Sequence, residues 1–249
     1  MTNVVQGSPW LVAPAGAPKS GRILVCFPSA GSGASMYRQW PDRLSGVADV
    51  LRIQPPGRET RFREPLLTHL DPYLEQLVDV LAPCLDRPFL FFGHSMGSII
   101  AYRVALRLRE QLGVEPEHLL VSAFRSPQAP PMKRIHHLAD AEFVRELIDT
   151  YDGVPEQLLN EPEVLELMLP IVRADLAVVS DHQYEASNAF SCPISAFGGV
   201  DDRWVDETQL GQWCVHTRST FSLQMIAGNH YYINSNSDDL IDRIKTLLR

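Results

Sequence analysis

The chain has 249 residues, 45% of them hydrophobic, and a formal net charge of −8. Its length suits one large α/β domain or two small ones, and its apolar fraction is enough for a sizeable core. The acidic balance argues against a nucleic-acid partner, because phosphate binding calls for a basic surface.

Targeting and cysteine patterns predict a cytoplasmic protein. The first residues lack the basic segment and apolar run of a signal peptide. No stretch approaches the ~18 apolar residues of a membrane span, so we expect no membrane contact. The cysteines are widely spaced, with no CxxC pair and no metal-ligand pattern: Cys26, Cys84, Cys192 and Cys214. They are typical of reduced thiols, and we expect no metal site.

Short apolar runs alternate with amphipathic helical patterns along the chain. Residues 1–21, rich in Pro, Gly and Ala, are expected to be irregular. Strands are predicted at 22–27, 48–57, 88–93, 118–124, 193–199 and 221–228. Helices are predicted from an Asp71 N-cap with Pro72 in the first turn, over 99–108, and over 237–249. Strands that alternate with helices indicate an α/β protein with a mostly parallel, doubly wound sheet.

The segment from Ser126 to about Ser191 breaks this alternation. It contains no convincing strand, only helical patterns such as DAEFVRELIDTY and PEVLELMLPIVRADLAVV. Pro170 lies inside the second pattern and should kink or divide the helix. A helical insertion between two strands is a candidate lid over the carboxyl ends of the sheet, where ligands bind. The alternative is a structural elaboration with no role in binding.

The sequence GHSMG at 93–97 follows a predicted strand and precedes a predicted helix. This context is typical of a nucleophile elbow, in which a strained turn lifts a serine above the sheet. Side chains at Gly93 or Gly97 would collide with the neighbouring strand or helix. The alternative is an ordinary turn that needs small residues. The context favours Ser95 as a nucleophile.

A serine nucleophile needs a general base, and the base needs an orienting carboxylate. In this fold the chain order is Ser, then Asp or Glu, then His. His230, in GNHYYI, follows the last predicted strand at the carboxyl edge of the sheet. The strand before it ends in FGGVDDRWV, which offers Asp201 and Asp202. Adjacent side chains point in different directions, so only one can face the histidine, and the residues alone do not separate them.

Acyl transfer also needs donors for a developing oxyanion. One is the backbone N–H of the residue after the nucleophile, Met96. The other is expected in the small-residue loop from Ser29 to Gly33, where the Ala30 N–H can turn inward. The alternative for this loop is a flexible connector. It is not a phosphate-binding loop, because the lysine of GxxxxGK is absent.

Five stretches resemble, in the same order, the type II thioesterases, the stand-alone editing hydrolases of polyketide and nonribosomal peptide synthesis. They are LVCFPSAGSGASMYRQW, PPGRETRFREP, RPFLFFGHSMGSIIAYRVA, FGGVDDRWV and GNHYYI. The resemblance extends from Trp10 to the final helix. It implies one α/β-hydrolase domain over residues 1–249 with a helical lid at about 126–191. It also implies a Ser-Asp-His triad, in which the spacing of the family assigns Asp202 and leaves Asp201 as the alternative.

The resemblance implies hydrolysis of acyl groups stalled on the phosphopantetheine arms of acyl or peptidyl carrier proteins, without any cofactor. The oxyanion loop departs from the F-P-x-A-G-G pattern of the family, because Ser32 stands in place of the last glycine. One alternative function is a general carboxylesterase or lipase-like hydrolase acting on small-molecule esters. A second is a binding module without catalysis.

Carrier proteins are typically acidic, so docking should use a basic patch on this acidic chain. Five residues are the predicted members of that patch: Arg58, Arg61, Arg63, Lys133 and Arg134. The alternative is a solvated surface that pairs with Glu59 and Glu64. In the helical insertion, we expect Phe143, Leu147 and Met168 to shape the acyl pocket.

Overall fold

The computed structural model describes residues 8–13, 20–151 and 161–248. Within those residues one sheet contains seven strands: β1 Leu11–Val12, β2 Ile23–Phe27, β3 Asp49–Ile53, β4 Phe89–His94, β5 His118–Ser122, β6 Ile194–Gly199 and β7 Phe221–Ile226. The strand order is β1-β3-β2-β4-β5-β6-β7. β1 runs antiparallel to β3, and every other neighbouring pair is parallel. The prediction of a mostly parallel sheet is confirmed.

Helices cover both faces of this sheet. The described α-helices are α1 Trp40–Arg43, α2 Leu70–Leu81, α3 Met96–Leu112, α4 Asp140–Tyr151, α5 Pro162–Ser180, α6 Glu207–Gly211, α7 Tyr232–Ser235 and α8 Ser237–Leu247. Apolar side chains of α2 and α3 pack into one core layer, and those of α1 and α8 pack into the other. The sheet is therefore doubly wound, as predicted.

Consecutive residues of the central strands enter opposite core layers. In β2, Val25 packs with α2 and α3, whereas Leu24 and Cys26 pack on the face covered by α8. Because such a strand is buried on both faces, it contains an unbroken apolar run rather than an alternating one. This property made the central strands predictable. β3 ends at Ile53, before Pro55 and Pro56, which have no N–H to donate to a neighbouring strand.

The stretch expected to be irregular, residues 1–21, contains strand β1. Its two residues, Leu11 and Val12, pair with Ile53 and Arg52 of β3. Two residues are too few to give a periodic pattern, so the strand is specified by its partner and not by its own sequence. Residues 1–7 and 14–19 of the same stretch lie outside the described residues.

Helix α2 begins earlier than predicted. Its N-cap is His69, and Asp71 and Pro72 occupy the second and third helical positions. Proline is tolerated there because the first four N–H groups of a helix have no acceptor within the helix. Asp71 in the first turn still interacts favourably with the helix dipole.

The segment between β5 and β6 is helical, as predicted. Its described residues include α4 and α5, joined to the sheet by irregular stretches, and the pairing of Phe190 with Thr217 is an isolated bridge. Pro170 does not divide α5, which runs unbroken from Pro162 to Ser180. Pro170 and Glu166 are both exposed, so water can hydrogen-bond the Glu166 carbonyl, which has no proline N–H to accept from.

Within the described ranges, no helix is both long enough and apolar enough to traverse a membrane.

Candidate active site

Ser95 lies at the sharp turn between β4 and α3. Its backbone angles, φ 52° and ψ −122°, fall in a region that residues with a side chain rarely occupy. The Ser95 N–H donates to the Ser122 carbonyl of β5 at 2.7 Å. The Ser98 hydroxyl donates to the Gly93 carbonyl at 2.8 Å and accepts the Ser122 N–H at 2.9 Å. These hydrogen bonds hold the turn in its strained form.

The two glycines of GHSMG allow the strand and helix to approach closely. A Cβ atom at Gly93 would lie 2.1 Å from the Gly97 carbonyl oxygen. A Cβ atom at Gly97 would lie 2.0 Å from the carbonyl oxygen of Phe27 at the end of β2. Both obstacles are backbone atoms of the core, which cannot move as the end of a flexible side chain can. The steric reason given for the two glycines therefore fits the structure.

His230 lies between the hydroxyl of Ser95 and the carboxylate of Asp202. Its Nε2 is 3.0 Å from Ser95 Oγ, and its Nδ1 is 2.8 Å from Asp202 Oδ2. The side chain of Asp202 is completely buried. Because the Asp202 carboxylate accepts a hydrogen bond from Nδ1–H, that nitrogen keeps its proton. Nε2 then carries the lone pair that can accept the Ser95 proton.

The second oxygen of Asp202 is fixed by the backbone. Asp202 Oδ1 accepts the N–H groups of Trp204 at 2.9 Å and Val205 at 3.1 Å. Asp201 is exposed, and its own N–H donates to the Gly228 carbonyl. The structure thus brings Asp202 to His230 and leaves Asp201 at the surface.

Two backbone hydrogen bonds hold the loops after β6 and β7 together. The Val200 N–H donates to the Ile226 carbonyl at 2.8 Å, and the Asp201 N–H donates to the Gly228 carbonyl at 2.9 Å. One loop carries Asp202 and the other carries His230. The distance between carboxylate and imidazole is therefore set by the register of two adjacent parallel strands.

Ala30 and Met96, whose backbone N–H groups are the predicted oxyanion donors, line the same cavity as Ser95 and His230. Neither N–H donates to an acceptor within the part of the chain that the structure describes. The next N–H along the loop, that of Gly31, donates to Asp175 Oδ2 at 2.8 Å. Two residues that line the cavity with Ser95 therefore have an N–H group without an acceptor among the described residues.

The cavity above Ser95 has a volume of about 70 Å³. Its apolar wall is formed by Phe124, Met132, Leu147, Val172, Leu176, Val179 and Trp204. Two larger spaces adjoin it. A groove of about 570 Å³ shares Ala30, Val172 and Tyr231 with the cavity, and a hollow of about 450 Å³ shares Met132 and Val179 with it.

Helices α4 and α5 supply much of this wall. Of the three residues expected to shape the pocket, Leu147 lines the cavity and Met168 lines the adjoining groove. Phe143 does neither. It is completely buried in the apolar cluster that also contains Leu147 and Leu176 of the cavity wall, with the Arg173 guanidinium 4.1 Å above its ring.

Two aromatic residues beside His230 escaped the sequence analysis. The Trp204 ring meets the imidazole edge-on with centroids 5.1 Å apart, and it also lines the cavity. His94 is completely buried, with its ring 5.5 Å from that of His230 and its Nδ1 2.8 Å from Ser122 Oγ. Burial lowers the pKa of His94 well below its usual value, and the neighbouring His230 lowers it further. A neutral His94 adds no positive charge beside a protonated His230.

The predicted basic docking patch is wrong at two positions. Arg58 is buried and pairs with the buried carboxylate of Asp175. Arg61 is also buried, where it pairs with Glu64 and lies 4.7 Å over the ring of Trp10. Neither guanidinium is available to a partner protein. Arg63, Lys133 and Arg134 are exposed.

Comparisons with known proteins find a family model, relatives and a solved structure that match nearly the whole chain. The family model described as a thioesterase domain matches residues 22–248. Linear gramicidin dehydrogenase LgrE of Brevibacillus parabrevis is 35% identical over 98% of this chain and 94% of that protein. Gramicidin S biosynthesis protein GrsT of Aneurinibacillus migulanus is 36% identical over 100% of this chain and 97% of that protein. The solved type II thioesterase BorB, from the borrelidin biosynthetic cluster, has 34% identity and a TM-score of 0.86, covering 96% of this chain and 98% of that one.

The elbow glycines provide a test of the local architecture. We expect Gly97→Ala to lower the free energy of unfolding by about 3 kcal/mol or more, because its methyl group would overlap the Phe27 carbonyl. The matched control is Gly211→Ala in helix α6, where the nearest atom lies 4.0 Å away and stability should stay the same or rise slightly. Urea denaturation measures both values. Equal stabilities of the two variants would contradict the close approach at the elbow.

Proposed function

This chain belongs to the thioesterase family, and on that premise we propose that Ser95, His230 and Asp202 hydrolyse carrier-bound thioesters. The substrates are stalled or aberrant acyl groups on the phosphopantetheine arms of acyl or peptidyl carrier proteins in polyketide or nonribosomal peptide synthesis. The observation that carries this proposal is the hydrogen-bonded series Asp202–His230–Ser95 beneath an apolar cavity. The similarity to BorB supports the class of substrate.

The reaction follows from the positions of the side chains. His230 takes the Ser95 proton through Nε2 as the serine oxygen attacks the thioester carbonyl. The N–H groups of Ala30 and Met96 stabilise the resulting oxyanion. The tetrahedral intermediate collapses, and His230 returns its proton to the departing phosphopantetheine thiolate. His230 then deprotonates a water molecule, which attacks the acyl-serine carbonyl. As the bond to the Ser95 oxygen breaks, His230 returns this proton to that oxygen, which releases the carboxylic acid and regenerates the Ser95 hydroxyl.

The cavities suggest separate paths for the two halves of the substrate. The groove beside Ala30 and Tyr231, with a volume of about 570 Å³, is the proposed path of the arm from the surface. The smaller space around Ser95 is apolar and suits a short acyl chain. Helices α4 and α5 close this space on one side through Leu147, Val172 and Leu176. In this proposal the chain is a single α/β-hydrolase domain whose insertion, at about 126–191, acts as the lid.

The name of LgrE, linear gramicidin dehydrogenase, raises dehydrogenase activity as a second candidate. A dinucleotide would place its pyrophosphate on the glycine-rich turn after a parallel strand. The corresponding turn here reads GSGASM over residues 31–36, with Met36 where the third glycine of GxGxxG would be. The Gly31 N–H is already bonded to the buried carboxylate of Asp175, which would repel a phosphate. These features favour hydrolysis over hydride transfer.

We expect Ser95→Ala and His230→Ala each to lower turnover of an acyl-carrier thioester by about a thousandfold or more, with the folds intact. Members of a triad act as a unit, so the double variant should lose little more than either single variant. A general esterase would cleave a simple free ester as readily as a carrier-bound thioester of the same acyl group, whereas we expect much faster cleavage of the carrier-bound thioester. The measurements are kcat/KM on both substrates and circular dichroism. Retention of about a tenth of the activity in His230→Ala would show that His230 is not the general base.

The two adjacent aspartates provide a matched pair. We expect Asp202→Asn to lower kcat by about a thousandfold or more, because an amide cannot both fix the imidazole and stabilise its protonated form. Asp201→Asn, at the surface, should leave kcat within about twofold. Parallel steady-state kinetics on one thioester would measure both. The reverse ranking would transfer the role to Asp201.

A further inference from the structure

Arg58 and Asp175 form an ion pair in the interior of the protein. Their side chains are 4% and 0% exposed. Arg58 Nη2 donates to Asp175 Oδ1 at 2.8 Å, and Nη1 donates to Oδ2, so the contact is bidentate. Arg58 follows β3, whereas Asp175 lies on α5, within the helical insertion. The pair therefore joins the insertion to the loops of the sheet.

Both partners also bind the loop that begins with Ser29. Asp175 Oδ2 accepts the Gly31 N–H at 2.8 Å, and Arg58 Nη1 donates to the Ser32 carbonyl at 3.2 Å. Gly31 has a φ of +79°, a left-handed conformation that glycine adopts without strain. The ion pair thus fixes the two residues that directly follow Ala30.

Stability alone is a weak explanation for this arrangement. Removing two charges from water is costly, and buried ion pairs can often be replaced by apolar side chains without loss of stability. The residues on either side of Asp175 along the helix face, Val172, Leu176 and Val179, line the cavity over Ser95. The same helix therefore forms the cavity wall and holds the loop that contains the Ala30 N–H.

We propose that Asp175, with Arg58 as its counterion, is a positioning residue that directs the Ala30 N–H at the oxyanion. This inference rests on the proposed function. Docking of α5 supplies the Gly31 acceptor, which orients the loop, so the oxyanion site is complete only when the insertion is packed on the sheet. The hydrogen bond from the Ala30 N–H lowers the free energy of the transition state. It does not strengthen substrate binding, because the oxyanion develops only in the transition state.

Asp175→Asn is the first test. The two oxygens of Asp175 accept three hydrogen bonds, from the Gly31 N–H and from Nη1 and Nη2 of Arg58. The asparagine amide has only one oxygen, so it cannot accept all three, and the loop loses its fixed position. We expect kcat for an acyl thioester to fall by roughly tenfold to a hundredfold, with KM within about twofold. The affinity for a trifluoromethyl ketone analogue, whose adduct with Ser95 carries an oxyanion, should fall by the same factor. Asp140→Asn is the control, because it weakens the 2.6 Å pair between Asp140 of α4 and Arg173 of α5, the helix that also carries Asp175, and should leave both quantities unchanged.

A double variant separates positioning from stability. Arg58→Met with Asp175→Leu removes both charges and the Gly31 acceptor while leaving an apolar pair of similar size. We expect a melting temperature close to that of the wild type but a kcat and an analogue affinity as low as in Asp175→Asn. A double variant with wild-type kcat would overturn the inference and leave the proposed function standing. Absence of thioester hydrolysis by the wild-type chain would overturn the proposed function and the inference together.

Discussion

The strained backbone at Ser95 is the constraint on which the site depends. A residue held in such a conformation costs about 1–3 kcal/mol, so the surrounding structure must stabilise it. Strand β5 does so through the Ser122 carbonyl, which accepts the Ser95 N–H, and Ser98 ties the first turn of α3 to β4. The result is a serine hydroxyl above the carboxyl edge of the sheet. The Met96 N–H, left without an acceptor by the start of the helix, lies beside it.

The rest of the site is built around this fixed point by loops from neighbouring strands. β6 and β7 end side by side, and backbone hydrogen bonds between their loops bring Asp202 and His230 together. β2 supplies the loop with Ala30, which Asp175 and Arg58 hold in place. Each group therefore comes from a different part of the chain, and parallel strand register brings these parts to one edge.

The sequence predicted the features that depend on burial and chain order. β2 and β4 are covered on both faces, so their apolar runs were visible without any partner. The order serine, aspartate, histidine after successive strands placed Ser95 and His230 in loops that meet in space. Separation of Asp202 from Asp201 required the spacing of a known family, because the two N–H donors that hold Asp202 follow it in a loop whose shape the residues alone do not reveal.

The wrong predictions arose where a distant partner decides the outcome. The arginines near residue 60 look like a solvated basic patch, but Arg58 is neutralised by Asp175, 117 residues later. β1 is a strand only because β3 offers it an edge. Neither of these outcomes has a local signal in the sequence.

The central claim is that His230 and Asp202 make Ser95 a nucleophile. Reaction of the intact protein with a fluorophosphonate probe, followed by digestion and mass spectrometry, tests this claim most directly. We expect one probe per chain, attached to Ser95, with labelling slowed by an acyl-carrier thioester and nearly abolished in His230→Ala. Labelling at another residue, or labelling of Ser95 that is as fast in His230→Ala as in the wild type, would contradict it.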